Sequence, residues 1–300
     1  MGAYQTPFLN MAGGLGGQNS KVTRGFNFPV AQPWSLTSAS QPAITEAASV
    51  SSNTATTVTR VQDTNTVQIF QETVEVSHAK LSTYGETGPI STSYTPDLAL
   101  QGDQPVKNEL EFQKMAQMRQ IAIDCDYSML NGAFQEATDA STAAKMRGII
   151  TAATTNTVAA GSATLSKALV DQILREMAAN GAVFENIVCF VNAFQKQKLS
   201  DIYGYAPEDR QVGGVNIKQI ETDFAQIGVV YAPNVPTSTL LMADMNYVAP
   251  VFCPVPGKGL LFYEDLAQSA ASQKGQIYGQ IGLDYGPEEY HGTITGLATS

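Results

Sequence analysis

The first hundred residues of this chain contain few apolar side chains that could be buried, and this feature constrains the fold more than any other. The first sixty residues carry four charges and a Gly-rich patch at 13–17, and fourteen of the thirty-two residues from Ser35 to Thr66 are Ser or Thr. Such a segment cannot bury enough apolar surface to offset its chain entropy. We therefore expect residues 1–55 to form an N-terminal arm that lies on a neighbouring surface. Its spaced apolar anchors are Phe8, Leu9, Phe26, Phe28, Val30 and Trp34.

Hydrophobicity with period two begins at Thr56 and predicts an extended β-hairpin over residues 56–104. The stretch from Ser82 to Gln104 is rich in Gly and Pro among polar residues, as expected for a flexible hairpin tip. Such a hairpin is too thin for a core of its own, so it needs another surface to lie on. The alternating apolar residues are Val58, Val61, Val67, Ile69, Val74 and Val76.

A long amphipathic helix is predicted over residues 105–131. Pro105 marks its entry, Asn108 is placed to cap it, and Asn131 with Gly132 supplies a left-handed stop. From the cap at Asn108 to Asn131 the helix has about 24 residues and, at ~1.5 Å per residue, is roughly 36 Å long, which is typical of a scaffold element. The predicted buried face consists of Leu110, Met115, Met118, Ala122, Cys125 and Met129, widened by Phe112, Ala116, Ile123 and Leu130.

The remainder mixes helices and strands, so the fold class is α+β. Residues 133–165 are read as a loop with one short ordered segment. Helices are predicted at Ser166–Asn180, capped by Ser166 and stopped by Gly181, and at Ala193–Tyr203, with a central strand at Ile187–Val191 between them. Further strands are predicted at 215–221, 228–231, 239–243, 260–263, 276–285 and 290–297.

Charge and hydropathy exclude several classes of protein. Lys and Arg number 17 against 27 Asp and Glu, giving a net charge of −10 with 15% charged residues. An acidic chain has no general attraction for phosphate backbones, which argues against a simple nucleic-acid binder. A signal peptide and a run of 18 apolar residues are both lacking in the sequence, so we expect neither export nor a membrane span.

Few residues are candidates for chemistry. Cys125, Cys189 and Cys253 are isolated, so neither a disulfide framework nor a zinc ribbon is expected, and buried inert thiols are the default. Asp124 and Asp126 resemble the start of a calcium loop, but they fall on the predicted helix and are read as an exposed or interfacial face.

The two histidines offer one further candidate. His291 lies beside Glu288 and Glu289, whereas His78 lies far away in a predicted strand. One imidazole with two carboxylates is a weak metal or acid/base signal. We therefore expect no catalytic residue, no cofactor-binding residue and no metal site. A hydrolase that uses His291 and Glu288 remains the enzyme alternative.

Aromatic residues are frequent in the last third of the chain. Aromatics with few charges mark either a core or the centre of a protein–protein contact, and the residues alone do not separate the two. They are Tyr231, Tyr247, Phe252, Phe262, Tyr263, Tyr278, Tyr285 and Tyr290.

Six short stretches, in order along residues 64–297, resemble the tailed-bacteriophage major capsid proteins with the Hong Kong 97 (HK97-like) fold. The nearest branch is the one typified by the major head protein of phage SU10. Each stretch is unspecific alone, and their order and spacing carry the resemblance. They are Val67–Ser77, Asn108–Gln113, Leu130–Gly132, Arg147–Ile149, Ile220–Phe224 and His291–Leu297.

The resemblance implies a division of the chain. Residues 1–55 would be the N-terminal arm, and 56–104 the extended loop. Residues 105–165 would belong to the peripheral domain with its spine helix at 105–131, and 166–262 to the axial domain. Residues 263–300 would hold a return strand of the peripheral domain and a C-terminal axial segment.

The implied function is structural: a major capsid protein, not an enzyme, that self-assembles into the icosahedral head shell around a double-stranded DNA genome. Hexamers and pentamers would build the shell, with portal, scaffolding and decoration proteins as candidate partners and no sequence-specific DNA binding. The protein would be located in the virion after assembly in the host cytoplasm. Deletion of residues 1–34 is expected to weaken assembly more than subunit folding.

Two alternatives are structural proteins of other kinds. An encapsulin-like shell that encloses cargo would share the fold. A phage tail-tube or other virion protein would share the low charge and the many Ser and Thr residues, although the long helix argues against it.

Overall fold

The computed structural model describes residues 5–16, 19–31, 41–51, 62–82, 109–203, 209–212, 215–268 and 270–299, without the side chains of 209–218. Trp34, Val58 and Val61, the predicted hairpin tip, and the entry at Pro105 and Asn108 lie outside the described residues.

Helices account for much of the middle of the described chain, and two of them are close to their predicted bounds. The helices are α1 (Pro7–Ala12), α2 (Glu46–Ser49), α3 (His78–Ser82), α4 (Glu109–Asn131), α5 (Ile149–Ala152), α6 (Lys167–Ala179) and α7 (Ala193–Tyr203). A 3₁₀ turn covers Glu288–Tyr290.

The described strands form three sheets of five, seven and two strands. In chain order, the first seven strands are β1 (Lys21–Val22), β2 (Asn27–Val30), β3 (Asp63–Thr66), β4 (Gln68–Ser77), β5 (Thr157–Ala159), β6 (Ile187–Val191) and β7 (Asp209–Val212). The next seven are β8 (Val215–Glu221), β9 (Gln226–Tyr231), β10 (Leu240–Asp244), β11 (Ala249–Phe252), β12 (Leu261–Asp265), β13 (Ser272–Asp284) and β14 (Gly292–Thr295).

The five-stranded sheet is built around the long strand β13. One edge of β13 pairs antiparallel with β4, from Ser272 opposite Ser77 to Ile281 opposite Gln68. Its other edge pairs with β12 and then β11, and β1 extends the sheet by pairing parallel with β11. The described limb of the predicted hairpin is therefore a strand of this sheet, while β3 pairs with β2 in the two-stranded sheet.

The seven-stranded sheet runs in the order β5-β14-β10-β6-β9-β8-β7. Its centre, β6, is fully buried along Ile187–Val191, as its apolar sequence predicts. Strands β6 and β9 are parallel, whereas β10 pairs antiparallel with both β6 and β14.

Period-two alternation in the seven-stranded sheet supplies both hydrophobic cores. Val188 and Phe190 of β6 face the main core, which they share with α1, α4 and the five-stranded sheet. Ile187, Cys189 and Val191 face the other way, into a second core closed by α6 and α7. One sheet therefore links the two halves of the molecule.

The N-terminal arm differs from its prediction. Phe8, Leu9, Phe28 and Val30 are buried within this chain, and Phe8 packs edge-on against Phe190 with ring centroids 5.2 Å apart. The expectation that these anchors lie on a neighbouring surface is wrong for them, because the chain's own main core has a site for α1. Only Phe26, at 43% exposure, matches that expectation among the described anchors.

Along the chain, the strands switch from one large sheet to the other at positions that differ from the predicted domain limits. β5 already belongs to the seven-stranded sheet before residue 166, and β11 and β12 belong to the five-stranded sheet before residue 263. β5 lies within the segment predicted as a loop, and β7 and β11 lie outside the predicted strands. Each of these three strands has four residues or fewer, too short to show a period.

Candidate assembly surfaces and buried polar clusters

Helix α4 is buried over its C-terminal half and exposed over its N-terminal half. Cys125 and Met129 lie in the main core, as predicted. Phe112, Met115 and Met118 are exposed, with Met115 at 66%, so their prediction as buried residues is wrong within this chain. The amphipathic stripe was correctly located, but part of it has no partner among the described residues of the subunit.

The exposed half of α4 is nevertheless fixed in orientation. Leu110 packs in a small cluster with Val74 and Val76 of β4. Glu109 Oε1 lies 2.7 Å from Lys80 Nζ of α3, and this contact lowers the pKa of Glu109. The apolar face therefore points in a defined direction.

Asp126 is fully buried, which contradicts its prediction as an exposed or interfacial residue. Its Oδ1 accepts the Leu9 N–H at 2.8 Å, and its Oδ2 accepts from Asn234 Nδ2 at 2.8 Å. Leu9 lies in the first turn of α1, whose N–H groups have no partner within the helix, so Asp126 caps α1 from the side of α4. Burial raises the pKa of Asp126 to about 6 despite these bonds.

His291 is buried and joins two backbone segments through its ring nitrogens. Its Nδ1 accepts the Asp244 N–H at 3.2 Å, so its Nε2 carries the proton and donates to the Tyr285 carbonyl at 2.5 Å. Burial lowers the pKa of His291, which favours the neutral ring. Both ring nitrogens are occupied by backbone groups, and neither is open to a substrate.

Of the two carboxylates beside His291, Glu288 is engaged elsewhere, whereas Glu289 Oε2 is buried without a hydrogen-bond partner among the described residues. Glu288 Oε2 accepts the N–H and the hydroxyl of Thr154 at 2.8 and 2.7 Å, which holds the loop before β5. Burial raises the pKa of Glu289. His78 is exposed at the start of α3, in a different element from His291. The structure therefore does not assemble His291, Glu288 and His78 into one site.

A second polar cluster was not foreseen. Asp63 accepts from Arg147 and, at 2.6 Å, from the Tyr285 hydroxyl, while burial raises the pKa of Tyr285. Asn65 is fully buried between the Arg147 N–H, at 2.8 Å, and the Leu283 carbonyl, at 2.7 Å. No local pattern reveals such partners, because 80 or more residues separate them along the chain.

Two of the stretches that carry the resemblance meet in space. The Gly148 N–H donates to the Gly132 carbonyl at 2.8 Å. A Cβ at Gly132 would lie 2.4 Å from the Met146 carbonyl oxygen, and one at Gly148 would lie 2.5 Å from Gly132 N. Gly132 does not have a positive φ, so it is needed for close backbone approach and not for the predicted left-handed stop.

Two of the three cysteines are buried in this fold, and Cys253 is partly exposed. Cys125 and Cys189 are buried, and burial raises the pKa of both thiols. Within the described ranges no three His, Cys, Asp or Glu side chains lie together as a metal-ion site. Within those same ranges, no helix is both long enough and apolar enough to span a membrane.

An aromatic pair, with Phe224 exposed and Phe184 partly buried, lies outside the predictions from sequence. Phe184 and Phe224 stack with ring centroids 5.9 Å apart at one end of the seven-stranded sheet. The only sequence signal was Phe224 itself, the last residue of the stretch Ile220–Phe224.

Comparison with known proteins bears on this arrangement. A family described as "SU10 major capsid protein" matches residues 1–298 of the chain. The capsid asymmetric unit of cyanophage A-1(L) is similar in structure, with a TM-score of 0.65 at 12% identity, over 98% of this chain and 93% of that one. A structure of Mycobacterium phage Patience gives a TM-score of 0.61 at 10% identity, over 100% and 84% of the two chains.

The fold is also similar to that of a non-viral shell. The holo-SrpI encapsulin complex from Synechococcus elongatus PCC 7942 gives a TM-score of 0.59 at 10% identity, over 94% of this chain and 86% of that one. At such identities the likeness shows the fold alone. No curated protein sequence matches the chain.

Proposed function

From the premise that this chain belongs to the SU10 major capsid protein family and forms the shell of a phage head, we propose how its surfaces build that shell. The protein is a structural component of the virion, and its copies assemble with one another. We propose that they associate as hexamers and pentamers around double-stranded DNA, without sequence-specific contacts, after synthesis in the host cytoplasm. Portal, scaffolding and decoration proteins are the proposed further partners.

The domain division is part of this proposal. The seven-stranded sheet with α6 and α7 would form the axial domain, and the five-stranded sheet with α4 the peripheral domain, α4 being its spine helix. Residues 1–55 would be the arm, with α1 anchored in its own subunit, and the extended loop would continue from β4.

The observation that carries the proposal is the exposed apolar face of α4. Phe112, Met115 and Met118 are held outward by the contacts of Leu110 and Glu109. An ordered apolar face that the described part of the subunit leaves open is expected to be covered by a partner, and in a shell the available partner is another copy. The fixed direction of the face argues for one defined contact.

No catalytic residue, cofactor or metal is part of the proposal. Both ring nitrogens of His291 are occupied by backbone groups, and the Glu288 carboxylate is engaged by Thr154. His291→Ala is expected to lower subunit stability without removing any catalytic activity.

The test is electron microscopy of the purified protein together with two matched variants. Wild-type protein should form closed particles of uniform diameter. Met115→Ser should leave subunit unfolding unchanged within ~0.5 kcal/mol, as for an exposed position, and should reduce particle yield. Met129→Ser, at a fully buried position of the same helix, should destabilise the subunit itself by at least ~2 kcal/mol. A monomeric wild-type protein at high concentration would contradict the proposal.

A further inference from the structure

Two turns at one end of the seven-stranded sheet hold an aromatic pair at the surface. Because β6 and β9 are parallel with Val188 opposite Gly228, the residues four positions earlier, Phe184 and Phe224, meet ahead of the two strands. Phe224 is 44% exposed, and Val183, the residue before Phe184 in the chain, is also exposed.

Both turns are fixed in conformation. Thr222 closes the β8–β9 turn by donating its N–H and its hydroxyl to the Ala225 carbonyl, at 3.0 and 2.7 Å. Phe184 has a φ of 57°, a left-handed conformation that is unfavourable for a residue with a Cβ. Phe184 is partly buried against the second core and stacks on the exposed Phe224. An unfavourable backbone conformation that holds such a pair in place indicates a functional contact.

The charges in these two turns have one sign. Within residues 181–186 and 221–226 the charged residues are Glu185, Glu221 and Asp223. Together with Val183, Phe184 and Phe224 they form what we call the acidic patch.

The other end of the same strands has the complementary character. Phe194 and Lys198 lie on α7, directly after β6, with Lys198 Nζ 5.6 Å from the Phe194 ring centroid. Tyr231 ends β9 and is exposed. Residues 192–198 carry Lys196 and Lys198 and no acidic residue, with Asp201 one turn further along. Phe194, Lys196, Lys198 and Tyr231 form the basic patch.

We propose that the acidic patch of one copy docks on the basic patch of the next copy, head to tail, within a ring of the shell. Two different, complementary patches on one chain generate a heterologous contact, and repeated heterologous contacts form a ring when the rotation between successive copies closes. Aromatic residues suit the centre of such a contact, and the opposite charges at its rim fix its register. This inference rests on the proposed function, since it assumes that copies meet.

A charge exchange tests the contact. Asp223→Lys and Lys198→Asp, each alone, place like charges across the interface and should raise the concentration for half-assembly by roughly tenfold or more. The double variant restores opposite charges and should return close to wild type. Phe224→Ser removes the apolar centre and should impair assembly without a charge change. Arg175→Glu, a charge reversal at an exposed position in the middle of α6, is the matched control and should assemble normally.

Sedimentation velocity and negative-stain microscopy give the assembly readout, and circular dichroism confirms that every subunit is folded. Normal assembly of both single variants would assign the patches to solvent or to another virion protein, and would overturn the inference while leaving the proposed function intact. A double variant as impaired as the singles would also overturn it. Wild-type protein that never associates would overturn the inference and the proposed function together.

Discussion

At the scale of single residues, the contact between Gly132 and Gly148 brings two separate backbone segments into close approach. A side chain at either position would meet backbone atoms, which cannot rotate away as a flexible side chain can. The contact joins the end of α4 to the start of α5, so a residue with a Cβ would force these elements apart.

We therefore expect Gly148→Ala to lower the free energy of unfolding of the subunit by about 2 kcal/mol or more, as in overpacked sites. Gly25→Ala is the matched control, because a Cβ there has its nearest neighbour, the Asn27 carbonyl oxygen, at 3.5 Å. Denaturant unfolding of unassembled subunits measures both changes. Equal midpoints for the two variants would show that the close approach can relax.

His291 makes a prediction for acidic solutions. Its pKa in the folded state is below the usual value of 6.5, so the unfolded chain takes up a proton before the folded chain does. The stabilising contribution of the neutral ring is complete above about pH 6.5 and decreases as the pH falls below that value.

The measurement compares the free energy of unfolding of wild type and His291→Gln between about pH 8 and 5. Wild type should lose more stability on acidification than the variant does. The comparison is needed because Asp126, with its pKa raised to about 6, has the opposite slope: its contribution is greatest below its unfolded value of 3.8 and is lost as the pH rises towards 6. Parallel pH profiles for the two proteins would contradict the assignment of His291.

At the scale of elements, α1 changes the expected role of the arm. Phe8 is fully buried against Phe190, and Asp126 caps the helix from α4. These contacts remove the basis for expecting that deletion of residues 1–34 spares subunit folding, because the deletion would open the main core.

We expect Phe8→Ala to destabilise the unassembled subunit by about 3–5 kcal/mol, as for other buried Phe truncations. Phe26→Ala, at a half-exposed position of the same arm, should change subunit stability by less than about 1 kcal/mol. Thermal or denaturant unfolding compares them under identical conditions. Similar losses in the two variants would mean that α1 leaves the core in solution.

Elements with a clear period were predictable from the sequence. Helix α7 was predicted at its observed bounds, as was β6, and α6 begins directly after Ser166 and is followed by Gly181 with a φ of 88°. In α6 and α7 burial follows the local alternation of apolar and polar residues, and β6 is a continuous apolar run, so the sequence contains both signals.

Partners that lie far apart in the sequence were not predictable. Asp126 looked exposed because nothing near it in sequence shows that α1 would bring unpaired N–H groups to it. Met115 and Met118 looked buried because the same stripe serves the subunit core at Met129 and an open surface one half-helix earlier. The absence of a catalytic cluster remains a prediction, supported by the partners of His291 and Glu288.

At the scale of the whole molecule, one sheet contributes side chains to both cores. The acidic and basic patches lie at opposite ends of β6 and β9. The strand beside β6, β10, contributes Leu241 and Ala243 to the main core and Leu240 and Met242 to the second core. A ring contact there would load the most buried part of the fold and not a peripheral loop.

Net charge gives a prediction for the assembled shell and its contents. The chain carries 27 acidic against 17 basic residues, and several of its cations are already paired with carboxylates. These ion pairs are Lys21–Asp284, Lys80–Glu109, Lys114–Glu111, Arg147–Asp63 and Lys258–Glu264. The excess of carboxylates over cations therefore opposes binding to a DNA backbone.

Purified subunits are expected to bind double-stranded DNA with a dissociation constant above ~100 µM, the weak end of the range for non-specific binders, at both about 50 and 200 mM salt. Electrophoretic mobility of a DNA fragment, with a basic DNA-binding protein in parallel lanes, is the measurement. Retardation at low salt that disappears at the higher salt would reveal phosphate contacts by a local basic surface. That surface would then bind the genome despite the net charge. The expected absence of retardation means that DNA is confined by the wall without adhering to it, because repulsion between like charges keeps the two apart.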